Sequence, residues 1–174
     1  MTLLDDVVAH LVARQIAHAL IGAVALAVHG VSRSTLDQDL LVIERRVLNE
    51  DFWLPLGSGV TVDVRAGDTT DPLAGVVRLR RAEERDVDVV VGRHEWQRTI
   101  LDRAIPVGHG QLLVVRAADL ILLKLYAGGT QDAWDIEQLL GLDAAAALVE
   151  DVDSHASVLP ADSRELWARL RAGR

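Results

Sequence analysis

The sequence predicts an α/β protein in which a small mixed sheet with packed helices is followed by a C-terminal helical cluster. Up to about residue 116, short apolar runs of strand length alternate with segments whose apolar residues recur at helical spacing. Beyond that point every segment has helical periodicity. The 174-residue chain shows no internal repeat and no low-complexity linker. We therefore expect a single domain, with an α/β core in residues 1–116 and a helical region in residues 117–174 packed on it.

The first predicted elements alternate between helix and strand. Apolar residues at helical spacing predict a helix from Leu3 to Gln15, and the short apolar run from His18 to Gly22 suits a strand. Ala23 to His29 is the helix expected behind that strand. A second apolar run, Leu36 to Ile43, predicts the next strand. Val47 to Trp53 predicts a helix that ends near the following proline.

The rest of the chain supplies the remaining strands and then only helices. Val60 to Arg65 alternates apolar and polar residues, which predicts a half-exposed strand, and Val87 to Val91 is a β-branched run typical of a central strand. Further strands are predicted at Gly75–Leu79 and Gln111–Val115, with a helix at His94–Arg103. The C-terminal helices are predicted at Ala118–Ala127, Thr130–Leu140, Asp143–Asp153 and Ser163–Arg171.

Composition and charge narrow the classes of function. The chain has 26 acidic and 18 basic residues, a formal net charge of −8, and a single lysine. Broad adhesion to nucleic acid is not expected, because neutralising a phosphate backbone requires clustered lysine and arginine. The absence of cysteine excludes disulfides, thiol catalysis and cysteine-based metal sites. The N-terminal residues resemble neither a secretory signal nor a membrane span, so a bacterial-type cytoplasm is the expected location.

Asp37 and Asp39 form a carboxylate pair at the start of the second predicted strand. Side chains two residues apart in a strand point to the same face and lie about 7 Å apart along the backbone. Two such carboxylates repel each other, and a divalent cation that also holds phosphate oxygens is a suitable counterion. The pattern fits a metal site, and it also fits an ordinary polar strand end.

Gly22 and Ala23 lie where the first predicted strand passes into a helix. A glycine here lets the backbone approach a ligand closely, and the first amides of the helix could donate to an anion. An ordinary turn glycine would give the same pattern.

A third carboxylate is needed as a further metal ligand or as a base for the attacking group. Asp63 and Asp88 are the candidates. Asp63 shares the polar face of its strand with Thr61 and Arg65, which suits a solvated strand or a salt bridge. Asp88 is embedded in an apolar run, where a charge is costly unless it has a partner, and we favour Asp88.

Lys124 interrupts an otherwise apolar helix, LILLKLY. Such a lysine either extends along its stem to water or meets a carboxylate or phosphate. Arg33, in the turn before the Asp-x-Asp strand, is either a second phosphate contact or a surface arginine. Asp132 and Asp135 fall in the first turns of the next helix, where favourable interaction with the helix dipole explains them without a function.

Three ordered blocks of the chain resemble the nucleotidyltransferase superfamily. They are Gly22-Ala23 followed by Asp37-Gln38-Asp39, the strand around Asp88, and DLILLKLYAGGTQDAWDIEQLL from Asp119. Together with HGVSRSTLDQDLLV from His29, the last block is similar to the small nucleotidyltransferases of toxin–antitoxin systems. The resemblance spans roughly residues 16 to 142 and implies a minimal nucleotidyltransferase-like fold.

The resemblance implies metal-dependent transfer of a nucleoside monophosphate from an NTP, such as ATP or CTP, to a protein or RNA acceptor. The assigned residues are Asp37, Asp39 and Asp88, as catalytic residues and ligands of Mg²⁺ (or Mn²⁺), and Gly22, Ala23, Arg33 and Lys124, as contacts of the nucleotide. A cognate toxin or antitoxin protein is the expected partner. RNA is the alternative acceptor, although no strong basic patch is visible, and no membrane contact is expected.

Three positions depart from the family pattern. Ala23 replaces the usual second glycine or serine, and Gln38 stands where an apolar residue is usual. Gly129 stands where relatives often carry an arginine. These departures support an alternative function, a non-catalytic protein of the same fold that binds a nucleotide or a partner. The acidic positions favour the enzyme.

Overall fold

The computed structural model describes residues 1–33, 37–108, 112–143 and 145–173, and in these residues it contains one mixed sheet of seven strands. The strands are β1 (His18–Ile21), β2 (Gln38–Val42), β3 (Val60–Ala66), β4 (Gly75–Arg81), β5 (Val87–Val91), β6 (Ile105–Pro106) and β7 (Leu113–Val114). Their order across the sheet is β3-β4-β5-β2-β1-β7-β6. β2 runs parallel to β5 and antiparallel to β1, and β1 runs parallel to β7. The prediction of a mixed sheet is confirmed.

The central strands carry apolar residues on both faces. Leu40, Leu41 and Val42 are consecutive in β2 and all buried, which requires cover on both sides of the sheet. β5 buries alternate valines beside it. The edge strand β3 is half-exposed, as its alternating sequence predicts, and pairs with β4. The two buried central strands hold the predicted acidic residues at their beginnings.

Helices cover the sheet and form the C-terminal cluster. The α helices are α1 (Leu3–Ala13), α2 (Gly22–Val28), α3 (Glu95–Asp102), α4 (Ala117–Ala127), α5 (Thr130–Leu140), α6 (Ala145–His155) and α7 (Ala161–Ala172). α4 ends at Gly128 in the left-handed conformation, which allows α5 to begin two residues later. One apolar core extends from Leu3 in α1 through the sheet to Trp167 in α7. The predicted helices and strands are thus packed around a shared interior.

The segment from Val47 to Trp53 differs from the prediction of one helix. It belongs to two 3-10 helices, Arg45–Leu48 and Glu50–Leu56. Asn49 separates them, because its side chain accepts a hydrogen bond from the Asp51 amide at 3.0 Å and starts a new helix. The apolar spacing in the sequence did not reveal this interruption.

One strand of the structure is absent from the sequence prediction, and two predicted strand starts cannot be compared. The short strand β6 was not predicted; it pairs with β7. The predicted strand starts at Leu36 and Gln111 lie outside the described residues. In the described part of the chain, no helix combines the length and the hydrophobicity needed to cross a membrane.

Candidate active site

Asp39 and Asp88 lie side by side on the two central strands. β2 and β5 are parallel neighbours, and their register pairs Asp39 directly with Asp88. Paired residues project to the same face of a sheet, so carboxylates from two distant segments share one face. Asp37 lies just before β2 and is exposed. The three predicted acidic residues are therefore found where two adjacent strands begin.

Gly22 lies against the carboxylate of Asp39. β1 pairs Ile21 with Asp39, and the chain then enters α2 at Gly22 with a φ of 62°. A Cβ atom at Gly22 would lie 2.0 Å from Asp39 Oδ2. Glycine is needed both for the left-handed backbone and for this close approach. The structure shows a carboxylate of the chain itself next to Gly22, and the predicted contact of Gly22 with a nucleotide stays a prediction.

The environment of Asp39 disfavours its negative charge. Burial raises the pKa of Asp39, and the charges of Asp88 and Asp37 raise it further, to about 6 in total. Lys124 and Arg78 act in the opposite direction. A proton or a cation would relieve this repulsion, and the oxygen-only set of donors suits a hard cation such as Mg²⁺.

Arg78 neutralises Asp88 from the neighbouring strand β4. Its Nε donates to Asp88 Oδ1 at 2.7 Å and its Nη2 donates to Oδ2 at 2.5 Å. These hydrogen bonds and the charge of Asp88 raise the pKa of Arg78. Among the described residues, no three histidine, aspartate or glutamate side chains are close enough to form a complete metal cluster. The carboxylate of Asp88 adjoins Asp39 in the sheet and is directed to Arg78.

Asp63, the rejected candidate for the third acid, lies on the same face but at the edge of the sheet. β3 pairs Asp63 with Arg78, so a whole strand separates it from Asp88. Its Oδ2 is 3.7 Å from Arg65 Nη2, which is the salt bridge that the alternating sequence allowed. Asp88 is thus the neighbour of Asp39, while its catalytic role stays a prediction.

Lys124 and Arg33 converge on one buried carboxylate, that of Asp135. Lys124 Nζ donates to Asp135 at 2.6 Å and to Asp132 at 3.0 Å. Arg33 Nη1 donates to both oxygens of Asp135, at 2.7 and 2.9 Å. The side chains of Lys124 and Asp135 are only 10% and 1% exposed. Of the alternatives for Lys124, the structure shows the carboxylate partner, at a place where its charge also reaches Asp39.

Comparison with solved structures identifies the fold. JHP933 from Helicobacter pylori aligns with a TM-score of 0.50 at 16% identity, over 97% of this chain and 88% of that chain. A second protein of H. pylori, assigned as a nucleotidyltransferase, aligns with a TM-score of 0.52 at 15% identity, over 96% and 88%. The chain has a nucleotidyltransferase fold. No family model matches the sequence, and no curated protein is significantly similar to it.

On this nucleotidyltransferase fold, sequence reasoning missed the role of Asp135. In the sequence, interaction with the helix dipole explained Asp135, but the side chain of Asp135 is buried and accepts hydrogen bonds from two cationic side chains. A signal was present, because the helical spacing that buries Ile136 and Leu139 also turns Asp135 toward the core. Arg78 was missed as well, and for it the sequence offered no comparable signal, since an arginine on the polar face of a strand is ordinary.

Replacing Gly22 by alanine should lower the stability of the folded protein and displace the Asp39 side chain. The left-handed backbone costs an alanine about 1–2 kcal/mol, and the new methyl group must displace the Asp39 carboxylate. Gly30→Ala is the matched control, because Gly30 also has a positive φ, of 94°, but its nearest atom would be 3.9 Å away. We expect a larger fall in the thermal midpoint for Gly22→Ala than for Gly30→Ala, because only the first also displaces a side chain. Equal midpoints of the two variants would contradict the close packing of Gly22 on Asp39.

Proposed function

We propose that this protein is a metal-dependent nucleotidyltransferase that moves a nucleoside monophosphate from an NTP to a hydroxyl group of a protein or RNA acceptor. The observation that carries the proposal is the pairing of Asp39 with Asp88, packed against Gly22, on a nucleotidyltransferase fold. Mutually repelling carboxylates of this kind supply the negative charge that a hard cation and its phosphate ligands require.

In the proposed reaction the acceptor oxygen attacks the α-phosphorus of the NTP, and the bond to the bridging oxygen breaks. Pyrophosphate leaves with that electron pair. Asp39 and Asp88, which are paired on adjacent strands, would hold Mg²⁺ or Mn²⁺, and the exposed Asp37 would join them when the ion is bound. The ion would supply charge neutralisation for the phosphates. Asp88 accepts hydrogen bonds on both oxygens from Arg78, and its remaining lone pairs could take the proton of the acceptor.

The triphosphate would be held by donors that the ion pairs leave available. In the described part of the chain, Lys124 uses two of its three N–H donors on carboxylates, and Arg33 uses only Nη1. The backbone amides of Gly22 and Ala23 add two donors without charge. Catalysis of this kind depends mainly on positioning and charge stabilisation, which these contacts would provide.

Incubation with labelled NTPs and Mg²⁺ tests the proposal and identifies the acceptor. We expect label on a cognate partner protein, as in a toxin–antitoxin pair, rather than on tRNA, because the net charge of −8 disfavours binding to an RNA backbone. The target would be a serine, threonine or tyrosine hydroxyl. Label on tRNA alone would refute the protein acceptor and leave the transferase activity standing. Label on neither acceptor with any NTP would argue against transfer.

Asp88→Asn should lower transfer strongly, whereas Asp63→Asn should have little effect. Asp88 adjoins Asp39, while Asp63 is paired with Arg65 at the sheet edge. Both substitutions remove one carboxylate from the same face, so they are matched in charge and size. Initial rates with labelled NTP measure the difference. The reverse ranking of the two variants would move the third acid to β3.

A non-catalytic, ligand-binding role is the second candidate. One observation favours it: Asp88 is already paired with Arg78, and the two predicted phosphate contacts, Lys124 and Arg33, are already paired with Asp132 and Asp135. Three departures from the family pattern also favour a non-catalytic role: Ala23, Gln38 and Gly129. Saturable NTP binding without transfer to either acceptor would support this candidate.

We also infer that residues 1–116 form the nucleotidyltransferase-like core and that residues 117–174 pack on it within a single domain. Support comes from the buried residues of α4, such as Ile121, which belong to the same apolar cluster as Leu40 of the sheet. Location in the cytoplasm is proposed on the sequence alone.

A further inference from the structure

A groove is lined in part by Arg33, one of the two cations that the proposed function assigns to the phosphates. It is lined by Ser32, Arg33, Thr130, Gln131 and Trp134 and has a volume of about 580 Å³. Small-molecule sites typically occupy about 300–1,000 Å³, so the groove is large enough for a ring system of a substrate. One wall is the segment after α2, and the other is the first turns of α5.

Trp134 gives this groove an aromatic wall. Its side chain is 43% exposed, whereas Trp53 and Trp167 are buried in the core. An exposed indole on the wall of a groove is a stacking surface for flat aromatic rings, and every nucleobase has such a face. Thr130 and Gln131 add hydroxyl and amide groups that can donate to or accept from the edge of a base.

We propose that the groove binds the nucleobase of the NTP, stacked on Trp134, an inference that rests on the proposed function. The groove suits a base because its lining beyond Arg33 consists of an aromatic ring, two hydroxyl groups and an amide. Arg33 connects the groove to the proposed phosphate contacts. Arg33 lines it and shares Asp135 with Lys124, whose charge reaches Asp39.

A free NTP is a better occupant than a nucleic-acid strand. Binding of a strand relies on several basic side chains that follow its backbone, and Arg33 is the sole basic residue on the lining of this groove as described. The chain as a whole carries a formal charge of −8. A free nucleotide places one base in the groove while other residues hold its phosphates, so it does not require a row of basic side chains along the groove.

Equilibrium binding to Trp134 variants tests the inference. The probes are the four ribonucleoside triphosphates with Mg²⁺ and inorganic tripolyphosphate, which has the phosphates without a base. Trp134→Ala should weaken binding of the tightest NTP by roughly 5- to 150-fold, the range for loss of one stacked base, and leave tripolyphosphate binding unchanged. Trp134→Phe keeps a ring and should retain most of the affinity. Because Trp134 is half-exposed, both variants should keep the thermal midpoint of the wild type.

Tryptophan fluorescence provides an independent readout. NTP should quench the wild-type protein and the control Trp96→Phe, whose ring packs against Tyr126 instead of lining the groove, but should not quench Trp134→Phe. Unchanged NTP affinity in Trp134→Ala, or an equal loss for tripolyphosphate, would overturn the base site. Quenching of the Trp134 fluorescence by a single-stranded oligonucleotide but not by NTP would also overturn it. If wild-type protein binds neither NTP nor tripolyphosphate, the proposed function fails as well.

Discussion

Asp39→Asn is expected to lower the rate of nucleotidyl transfer by about 10²–10³-fold or more. This is the loss in rate that typically follows removal of one electrostatic contact to a transition state. The reason is its position, directly beside Asp88 and against Gly22, where its side chain is partly buried. Initial rates with labelled NTP and Mg²⁺ provide the measurement. Asp63→Asn, on the same face of the sheet, is the control and should retain activity. Normal rates in both Asp39→Asn and Asp37→Asn would refute the metal assignment.

The same variant should be more stable than the wild type at neutral pH when no metal is present. The pKa of Asp39 is raised from an ordinary 3.8 to about 6, so the folded state binds the proton more tightly than the unfolded state. The stability of the wild type therefore falls as pH rises from about 4 to about 6 and stays lower above that. At about 1.4 kcal/mol per pKa unit, the full difference is ~3 kcal/mol.

Thermal or urea unfolding in EDTA at pH 7 and at pH 4 measures this effect of Asp39. Asparagine carries no charge at either pH, so the advantage of Asp39→Asn should be present at pH 7 and absent at pH 4. Asp63→Asn again serves as the control, because Asp63 lies at the sheet edge beside Arg65. Equal stabilities of Asp39→Asn and wild type at pH 7 would show that burial and the neighbouring carboxylates do not destabilise the charge of Asp39 in the folded protein.

Asp135→Asn is expected to destabilise the protein by about 3 kcal/mol, the lower part of the range for breaking a buried ion pair. The variant leaves Lys124 and Arg33 without the carboxylate that both of them bond, and the side chain of Lys124 is only 10% exposed. Urea unfolding at pH 7 measures the loss. Asp132→Asn is the matched control, because Asp132 bonds the same lysine from the same helix with a side chain that is 25% exposed; its cost should be below about 1 kcal/mol.

A double variant separates the ion pair from other effects at this position. Lys124→Met removes the buried cation with little change in volume, so Lys124→Met combined with Asp135→Asn should be more stable than the sum of the single losses predicts. Lys124→Met alone should lose stability, because among the described residues it leaves the buried Asp135 with one ion-pair partner, Arg33, in place of two. Additive losses would indicate that Asp135 and Lys124 contribute independently, against the contact described above.

The local elements were predictable from the sequence because their signals are local. Alternation over two residues and apolar spacing over three or four report which face of a strand or helix is buried, and they predicted β3, β5 and α4 close to their observed bounds. The prediction failed at Asn49, where a single capping side chain divided one apolar stretch into two 3-10 helices. A cap of this kind does not change the spacing of the apolar residues.

What the sequence determined by itself was the class of the fold, the position of Asp39 near the start of a buried strand, and the glycine at the turn before α2. Only the tertiary structure decided which distant residues meet. The register of β2 with β5 set Asp39 beside Asp88, and packing of α5 buried Asp135 between two cations. Such contacts depend on strand order and helix packing, which join segments far apart in the chain, and no local spacing of side chains encodes them.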